Sequence, residues 1–185
     1  MTKKVEVRIL IIVGLLFSAG ALWHLTSLSL HIGFNELMWA RIYQSFATAF
    51  LFVPITTAAF RGIPRGKTDN ASALISLAVN LGGSFGIALL ATFLSRRTQS
   101  HTSSLSINAS NYNSNYVQWL DRMTQTLQQQ GMQLMEAASQ ARAMMWNEIR
   151  QQAAMLAYLD LFFLLMILVL AMIPLVFLFK SSSDE

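Results

Sequence analysis

Four polar side chains that stand inside long apolar stretches are the residues of this chain whose types could do chemistry. They are Arg41, Gln44, Asn80 and Asp160. A charged side chain at the centre of a bilayer costs about 2.5–3.5 kcal/mol on insertion scales, so such residues face protein or water and often mark substrate or proton pathways. We therefore predict these four as candidate intramembrane transport residues.

Each of the four also has a structural interpretation. Arg41 lies about one turn inside its apolar stretch, where its guanidinium could snorkel to the interface or pair with a neighbour. Asp160 could carry a proton, although a structural hydrogen bond is the commoner role of such a carboxylate. Gln44 and Asn80 carry amides, which in membranes usually join neighbouring helices by hydrogen bonds.

No other set of residues predicts catalysis or a bound cofactor. The chain has no cysteine, which removes thiolate nucleophiles and thiolate metal ligands. His24 and His31 have no carboxylate at ligand spacing, and His101 lies in a polar stretch, so no metal site is predicted. We expect a protein that is not an enzyme, without catalytic residue, metal or cofactor.

The composition indicates a membrane protein. Apolar residues make up 54% of the chain and charged residues only 12%, against about 25% charged in ordinary soluble domains. The net charge of +4 comes without a basic stripe interleaved with aromatic residues, so nucleic acid is not an expected partner. The lipid bilayer is the expected partner.

Four apolar runs, each near the roughly 20 residues that a spanning helix needs, organise the chain. The predicted fold is an all-α integral membrane protein with four transmembrane helices, at about residues 9–30, 37–60, 71–95 and 153–179. Residues 1–95 thus hold three spans, 96–152 form an external loop, and 153–185 form the last span and a polar tail. A secretory signal is the less favoured alternative for the first run, because Trp23 and Leu25 are too bulky for a cleavage site.

The external loop is predicted to have two halves. Residues 98–115 are rich in Ser, Asn and Thr, which is typical of a flexible surface segment. Residues 116–152 have apolar residues at three- and four-residue steps, the spacing of an amphipathic helix, with Gly131 as an interruption. This pattern favours a helical hairpin, or a helix leaning on the bilayer, over a long coiled coil.

Basic residues predict the orientation of the spans. The N-terminal segment, the link after the second span and the C-terminal tail lie on one side of the membrane if the chain crosses it four times. These segments contain the basic residues Lys3, Lys4, Arg8, Arg61, Arg65, Lys67 and Lys180. The short link at residues 26–36 has no Lys or Arg. Because short cytoplasmic segments are enriched in Lys and Arg, both termini are predicted to be cytoplasmic.

The third run has few bulky side chains at its centre. Gly82 and Gly86 lie on one helix face, one turn apart, with Gly83 beside them. Such a strip lets another helix approach closely, so we predict that these glycines pack against a neighbouring helix. Pro54 and Pro174 lie inside the second and fourth runs and predict helix kinks.

Three motifs occur in the order in which they end a known transporter family. Arg41-Ile-Tyr-Gln44-Ser45, with Pro54 beyond it, resembles an Arg-x-x-Gln-Gly helix followed by a proline. The run from Ala71 to Ala88 and the run from Ala154 to Leu175 resemble the family's penultimate and last helices. The chain resembles the last four spans of the fourteen-span drug:proton antiporters of the major facilitator superfamily, the EmrB/QacA type.

The resemblance implies a C-terminal part of a proton-driven multidrug efflux transporter of the bacterial inner membrane, not competent for transport alone. Its implied partners are the remaining spans (a separate chain or upstream sequence), amphipathic drug-like substrates and a periplasmic adaptor protein. The chain departs from the family at Ser45, where glycine is usual, and at Val79, where arginine is usual.

Two other functions stay open. One is a non-transporting small membrane protein that acts as a helix-packing partner or assembly factor through the Gly82 and Gly86 face. The other is a self-contained four-span exporter that works as a dimer. Small exporters of that kind need a membrane-embedded acid in the first span, and residues 9–25 contain none.

Overall fold

The fold is that of a computed structural model, which describes residues 7–27, 34–60, 63, 66, 68–107, 109–110 and 113–176. The elements within these ranges are α-helices: α1 (Val7–Thr26), α2 (Phe34–Phe60), α3 (Thr68–Ile107), α4 (Ser114–Gln129) and α5 (Leu134–Val176). Of these, α1, α3 and α5 are long and apolar enough to cross a membrane. The predicted all-α membrane fold is therefore confirmed.

The count of four spans stays a prediction. Helix α2 has 27 residues, which is enough length to cross a bilayer, but it is not among the three helices that qualify on both length and apolarity. Its first half contains Glu36, Arg41 and Gln44, which lower its apolar character. The ends of the first and fourth predicted spans, at 28–30 and 177–179, lie outside the described residues.

The orientation also stays a prediction. The basic residues at positions 3, 4, 61, 65, 67 and 180 lie outside the described residues, as does His31. Arg8 lies in the first turns of α1.

Helices α3 and α5 are longer than a bilayer requires. They have 40 and 43 residues, or about 60 and 65 Å at the helical rise, whereas the hydrocarbon core is about 30 Å thick. Helix α3 passes Ser95 and ends at Ile107, and α5 begins at Leu134, well before its apolar run. Each of the two helices is therefore longer than a single membrane crossing requires.

The prediction of a flexible segment is wrong for residues 98–107. Helix α3 continues through them, and two of their hydroxyls bond back to the helix, Thr102 Oγ1 to the Thr98 carbonyl at 2.7 Å and Ser106 Oγ to the Ser103 carbonyl at 2.8 Å. Extending a helix that already exists is far cheaper than nucleating a new one, so the apolar run before Ser95 carries the polar residues into the helix.

The chain divides into two compact units, Met1–Leu90 with Leu159–Glu185, and Ala91–Tyr158. In the first unit, α1 and α2 pack together with the C-terminal part of α5. One cluster of buried residues draws on all three helices, and it comprises Ala19, Leu22, Leu25, Ala40 and Met166. Small residues on α2 permit this approach, since Ala40 and Ala47 are both 1% exposed.

The second unit contains a helical hairpin formed by α4 and the start of α5. Leu127 of α4 is buried together with Ala137 and Ala141 of α5. The amphipathic residues thus include a helical hairpin, which is one of the two arrangements that their pattern favours. The predicted boundary at residue 153 is not marked by a break, because α5 is continuous from Leu134 to Val176.

The hairpin turns at Gly131, whose φ is +96°. The Gly131 N–H donates to the Gln128 carbonyl at 2.9 Å and the Met132 N–H to the Leu127 carbonyl at 3.2 Å. This is the Schellman pattern, which pairs the last carbonyls of a helix and places a residue in the left-handed region. Met132 also packs against the cluster that contains Leu127, so the apolar contact usual for this motif is present.

Candidate functional site

One face of α2 carries several of the polar residues of that helix along an open groove, which we call the polar groove. Arg41, Gln44, Ser45, Thr48 and Phe52 recur at three- and four-residue steps, so they share a face. Together with Ala49 and Val53 they line an open groove of about 680 Å³. All of its lining residues belong to α2, so the groove is an open face of a single helix.

Arg41 and Gln44 are joined within this groove. Arg41 Nη1 donates to Gln44 Oε1 at 2.9 Å. One turn further along, Thr48 Oγ1 donates to the Gln44 backbone carbonyl at 2.9 Å. The structure thus brings together two of the four predicted transport residues, and it holds the guanidinium of Arg41 with a neutral amide.

Two further grooves lie between α1 and α2 and are almost wholly apolar. The first has a volume of about 460 Å³ and is lined by Leu10, Phe46, Ala49, Phe50, Val53, Pro54 and Thr57. The second has a volume of about 480 Å³ and is lined by Val13, Leu16, Phe17, Gly20, Ala21, His24 and Tyr43. Among the described residues, no acidic residue, Lys or Arg lines either groove.

Aromatic side chains of α2 form a ladder beside these grooves. The rings of Trp39 and Tyr43 are 6.0 Å apart, and those of Phe46 and Phe50 are 6.2 Å apart. Helix α1 joins the ladder through Phe17, 5.9 Å from Phe46, and through His24, 6.1 Å from Tyr43. Our reasoning from the sequence missed this ladder, although the spacing of Trp39, Tyr43, Phe46 and Phe50 on one helix face is a signal that could have revealed it.

The other two predicted transport residues do not line any of these three grooves. Asn80 is an exposed residue of α3, and its backbone carbonyl accepts from Ser84 Oγ at 2.8 Å. Asp160 is partly exposed on α5. Their roles in transport stay predictions.

The predicted packing of Gly82, Gly83 and Gly86 also stays a prediction. A Cβ built at any of the three has no heavy atom of the described residues within 4 Å, apart from its own stretch of helix backbone and its chain neighbours. The residues around them are open, with Leu81 63% and Phe85 69% exposed. A helix that packs on these glycines must therefore come from outside the described part of this chain.

A different glycine marks the close approach of two helices. A Cβ built at Gly14 of α1 would lie 2.7 Å from Cδ2 and 3.0 Å from Cγ of Leu51 on α2. No motif in the sequence distinguishes Gly14 from the other small residues of α1.

Both predicted kink prolines lie inside helices that continue past them. Pro54 is buried and lines the first apolar groove. Since proline has no N–H, the Phe50 carbonyl loses its usual helical donor, which is the local weakness that permits a bend. The kinks themselves remain predictions.

Comparison with known proteins finds relatives that are named for drug or fatty acid resistance. The chain is 24% identical to the colistin resistance protein EmrB of Acinetobacter baumannii over 88% of its own length and 31% of the relative's. It is 30% identical to the probable multidrug resistance protein EmrY of Escherichia coli, over 60% of the chain and 22% of the relative. It is 24% identical to the fatty acid resistance protein FarB of Neisseria gonorrhoeae, over 96% of the chain and 34% of the relative. The chain is similar to part of bacterial resistance transporters.

The chain matches only part of each relative. The chain spans between 22% and 34% of their lengths, so it corresponds to a fraction of each. No protein-family model matches it, and no solved structure matches it. Other similar proteins are named a multidrug export protein, from E. coli, and an MFS-type transporter, from Bacillus subtilis, which supports a transporter-related role for this chain.

Proposed function

We propose that this chain forms the C-terminal four-span part of a proton-driven multidrug exporter and works together with the remaining spans. The observation that carries the proposal is the similarity to FarB, which covers 96% of this chain but 34% of that relative. The named functions of the relatives, resistance to drugs, colistin and fatty acids, make amphipathic compounds the expected substrates.

The exposure of α3 supports a need for further spans. Helix α3 has no buried residue, and Leu77, Leu81 and Phe85 are each more than half exposed in its apolar run. Lipid can cover these apolar side chains, but it does not explain a strip of bare glycines beside them. Packing of the remaining spans against Gly82 and Gly86 explains both the exposed apolar side chains of α3 and the strip of glycines beside them.

The second unit supports an external partner. Helices α3 and α5 extend beyond the bilayer by their length, and the hairpin tip presents Leu134, 61% exposed, and Met135, 87% exposed. We propose that these two apolar side chains contribute to a contact with another protein. We assign this hairpin to the periplasmic side, with a periplasmic adaptor as the partner and both termini in the cytoplasm.

Growth on drugs in an efflux-deficient host tests the proposal. Three strains are compared: one with this chain alone, one with E. coli EmrB truncated before its last four spans, and one with both. We expect resistance only where both are present. Resistance from this chain alone would overturn the proposal, and so would drug sensitivity of the third strain if the two chains copurify.

A second candidate function is a non-transporting assembly factor that packs through the Gly82 and Gly86 strip. The bare, uncovered strip favours it as much as it favours a transporter part. Photocrosslinking from Ala78, on the same face, separates the two. Crosslinks to spans of an exporter support transport, and a stable specific complex with an unrelated membrane protein supports the assembly factor.

A further inference from the structure

Three exposed arginines lie where the apolar runs of α3 and α5 end, and we call them the arginine belt. Arg96 and Arg97 follow the apolar run of α3, which ends at Ser95, and Arg150 precedes that of α5, which begins at Ala153. At the helical rise, each of the three lies within about 5 Å of the end of its run. The headgroup layer outside the hydrocarbon core is about 5–8 Å thick on each side. The belt therefore lies at headgroup depth if each helix crosses the bilayer once.

The belt lies at one end of a compact unit. All three arginines belong to the unit Ala91–Tyr158. Helix α3 enters this unit at Ala91 and α5 leaves it at Tyr158, and the arginines lie within about two turns of these two points. Two different helices therefore contribute to the belt, within one unit of the fold.

The guanidinium of Arg97 is held close to the apolar run of α3. Its central carbon lies 5.4 Å from the centroid of the Phe93 ring, which is one turn back toward that run. A cation over the face of an aromatic ring is attracted by the negative charge of that face. The contact therefore keeps a positive charge at the level of the headgroups and not in the water beyond them.

The positive charge of the belt exceeds the negative charge beside it. Among the described residues, neither Arg96 nor Arg150 pairs with a carboxylate. The acidic residue at this level of α5 is Glu148, which is two positions from Arg150 and so does not face it. Glu148 Oε1 accepts instead from Gln152 Nε2 at 3.1 Å. A net positive charge remains, and a phosphate group, which only accepts hydrogen bonds, matches it.

An aromatic side chain lies beside the belt on α5. Trp146 is one turn before Arg150 on the same helix face and is 44% exposed. Indole rings favour the membrane–water interface, where the ring contacts apolar groups and its N–H finds an acceptor. The ring favours a lipid headgroup over a soluble anion as the ligand, because only the lipid brings apolar groups with its phosphate.

We propose that the arginine belt binds the phosphate groups of anionic phospholipids, with the guanidinium groups of Arg96, Arg97 and Arg150 donating to the phosphate oxygens. The inference goes beyond the proposed exporter role and takes from it only that α3 and α5 each cross the bilayer once. It also explains a cluster of arginines on the side that the other basic residues predict to be external, where Lys and Arg are less common. A lipid held there fixes the level at which the hairpin unit meets the bilayer.

Photolabelling of the full chain in phosphatidylcholine nanodiscs tests the proposal. The probe is a phosphatidylglycerol with a diazirine in its headgroup, present at low mole fraction. The competitors are unlabelled phosphatidylglycerol, zwitterionic phosphatidylethanolamine and soluble glycerol phosphate. We expect labels within residues 93–100 and 146–154. Phosphatidylglycerol should displace the probe at a mole fraction at least about tenfold below that of phosphatidylethanolamine, because more than one arginine contributes.

Matched variants separate headgroup binding from general attraction to a basic protein. Arg150→Gln is expected to weaken displacement by phosphatidylglycerol about fivefold, the effect of one basic residue at a membrane surface. Arg150→Lys retains the charge and should stay within a few-fold of the parent. Arg142→Gln is the control and should change nothing. Arg142 is exposed on the same helix face, but it lies about 16 Å before Ala153, beyond the headgroup layer.

Far-UV circular dichroism verifies the helix content of each variant. If Arg150→Gln folds poorly, the preference of the parent for phosphatidylglycerol over phosphatidylethanolamine decides the question alone.

Four results would overturn the inference. They are equal displacement by the two lipids, equal losses in Arg142→Gln and Arg150→Gln, labels outside the two expected segments, and displacement by glycerol phosphate, which would assign the belt to a soluble anion. The growth assay decides the proposed function separately. Resistance without a lipid preference would remove this inference and leave the transport proposal standing, and a lipid preference without resistance would do the reverse.

Discussion

Gly14 of α1 lies so close to Leu51 of α2 that an added Cβ would be 2.7 Å from Leu51 Cδ2. Non-bonded carbon atoms are comfortable at about 3.5–4.0 Å, so only a hydrogen fits at this position without a shift. The contact sets the distance between α1 and α2 at this point. It therefore positions the ladder of Phe46 and Phe50 and both apolar grooves.

Gly14→Val should destabilise the packing of α1 against α2. The added methyl groups would displace Leu51, and overpacking of this kind costs about 1–3 kcal/mol. The measurement is the free energy of unfolding in detergent, followed by steric trapping. Gly20→Val is the matched control, because a Cβ built at Gly20 has no heavy atom within 4 Å. Equal losses at the two positions would show that helix propensity, and not the Leu51 contact, sets the cost.

Gly131→Ala should weaken the hairpin of α4 and α5. Gly131 has a φ of +96°, and a residue with a Cβ pays about 1–2 kcal/mol in the left-handed region. Amide hydrogen exchange of α4 is expected to speed up by about tenfold in that variant. Gly131→Asn should lose less, since asparagine tolerates this conformation. Unchanged exchange in the alanine variant would contradict the role given to the Schellman turn.

Gly82→Leu and Gly86→Leu should leave the stability of this chain almost unchanged and still block assembly with the remaining spans. The first expectation follows because nothing described lies near either glycine. Copurification with truncated EmrB measures the second. Val79→Leu is the control, since Val79 is bulky already and 67% exposed. Normal copurification of both glycine variants would refute the packing prediction.

The predicted topology can be tested by thiol labelling. The chain has no cysteine, so single reporters need no background removal. Gln130→Cys at the hairpin tip should react with an impermeant maleimide in intact spheroplasts, and Ser183→Cys in the tail should react only after permeabilisation. Labelling in the reverse order would place the hairpin in the cytoplasm and exclude a periplasmic adaptor.

The sequence predicted those features that depend on composition and short-range pattern. The length of the apolar runs predicted a membrane protein, and Gly131 predicted the interruption between the two helices of the hairpin. Arg41 and Gln44 are three residues apart, so their contact follows from helical geometry once α2 is assigned.

Features that depend on neighbouring elements were not predicted. The polar residues Thr98 to Ile107 favour loops by composition, yet they continue a helix that the preceding apolar run has already nucleated. The importance of Gly14 depends on Leu51 lying opposite, which no spacing within α1 reveals. Three glycines at positions 82, 83 and 86 gave the stronger sequence signal, although the described contact is at Gly14.

Drug uptake into everted membrane vesicles tests the central claim most directly. Vesicles that contain this chain together with truncated EmrB are energised by a proton gradient, and accumulation of a fluorescent amphipathic drug is recorded. Accumulation should require both chains and should collapse when a protonophore is added. Accumulation by this chain alone, or accumulation by the pair that survives the protonophore, would contradict a role as one part of a proton-driven exporter.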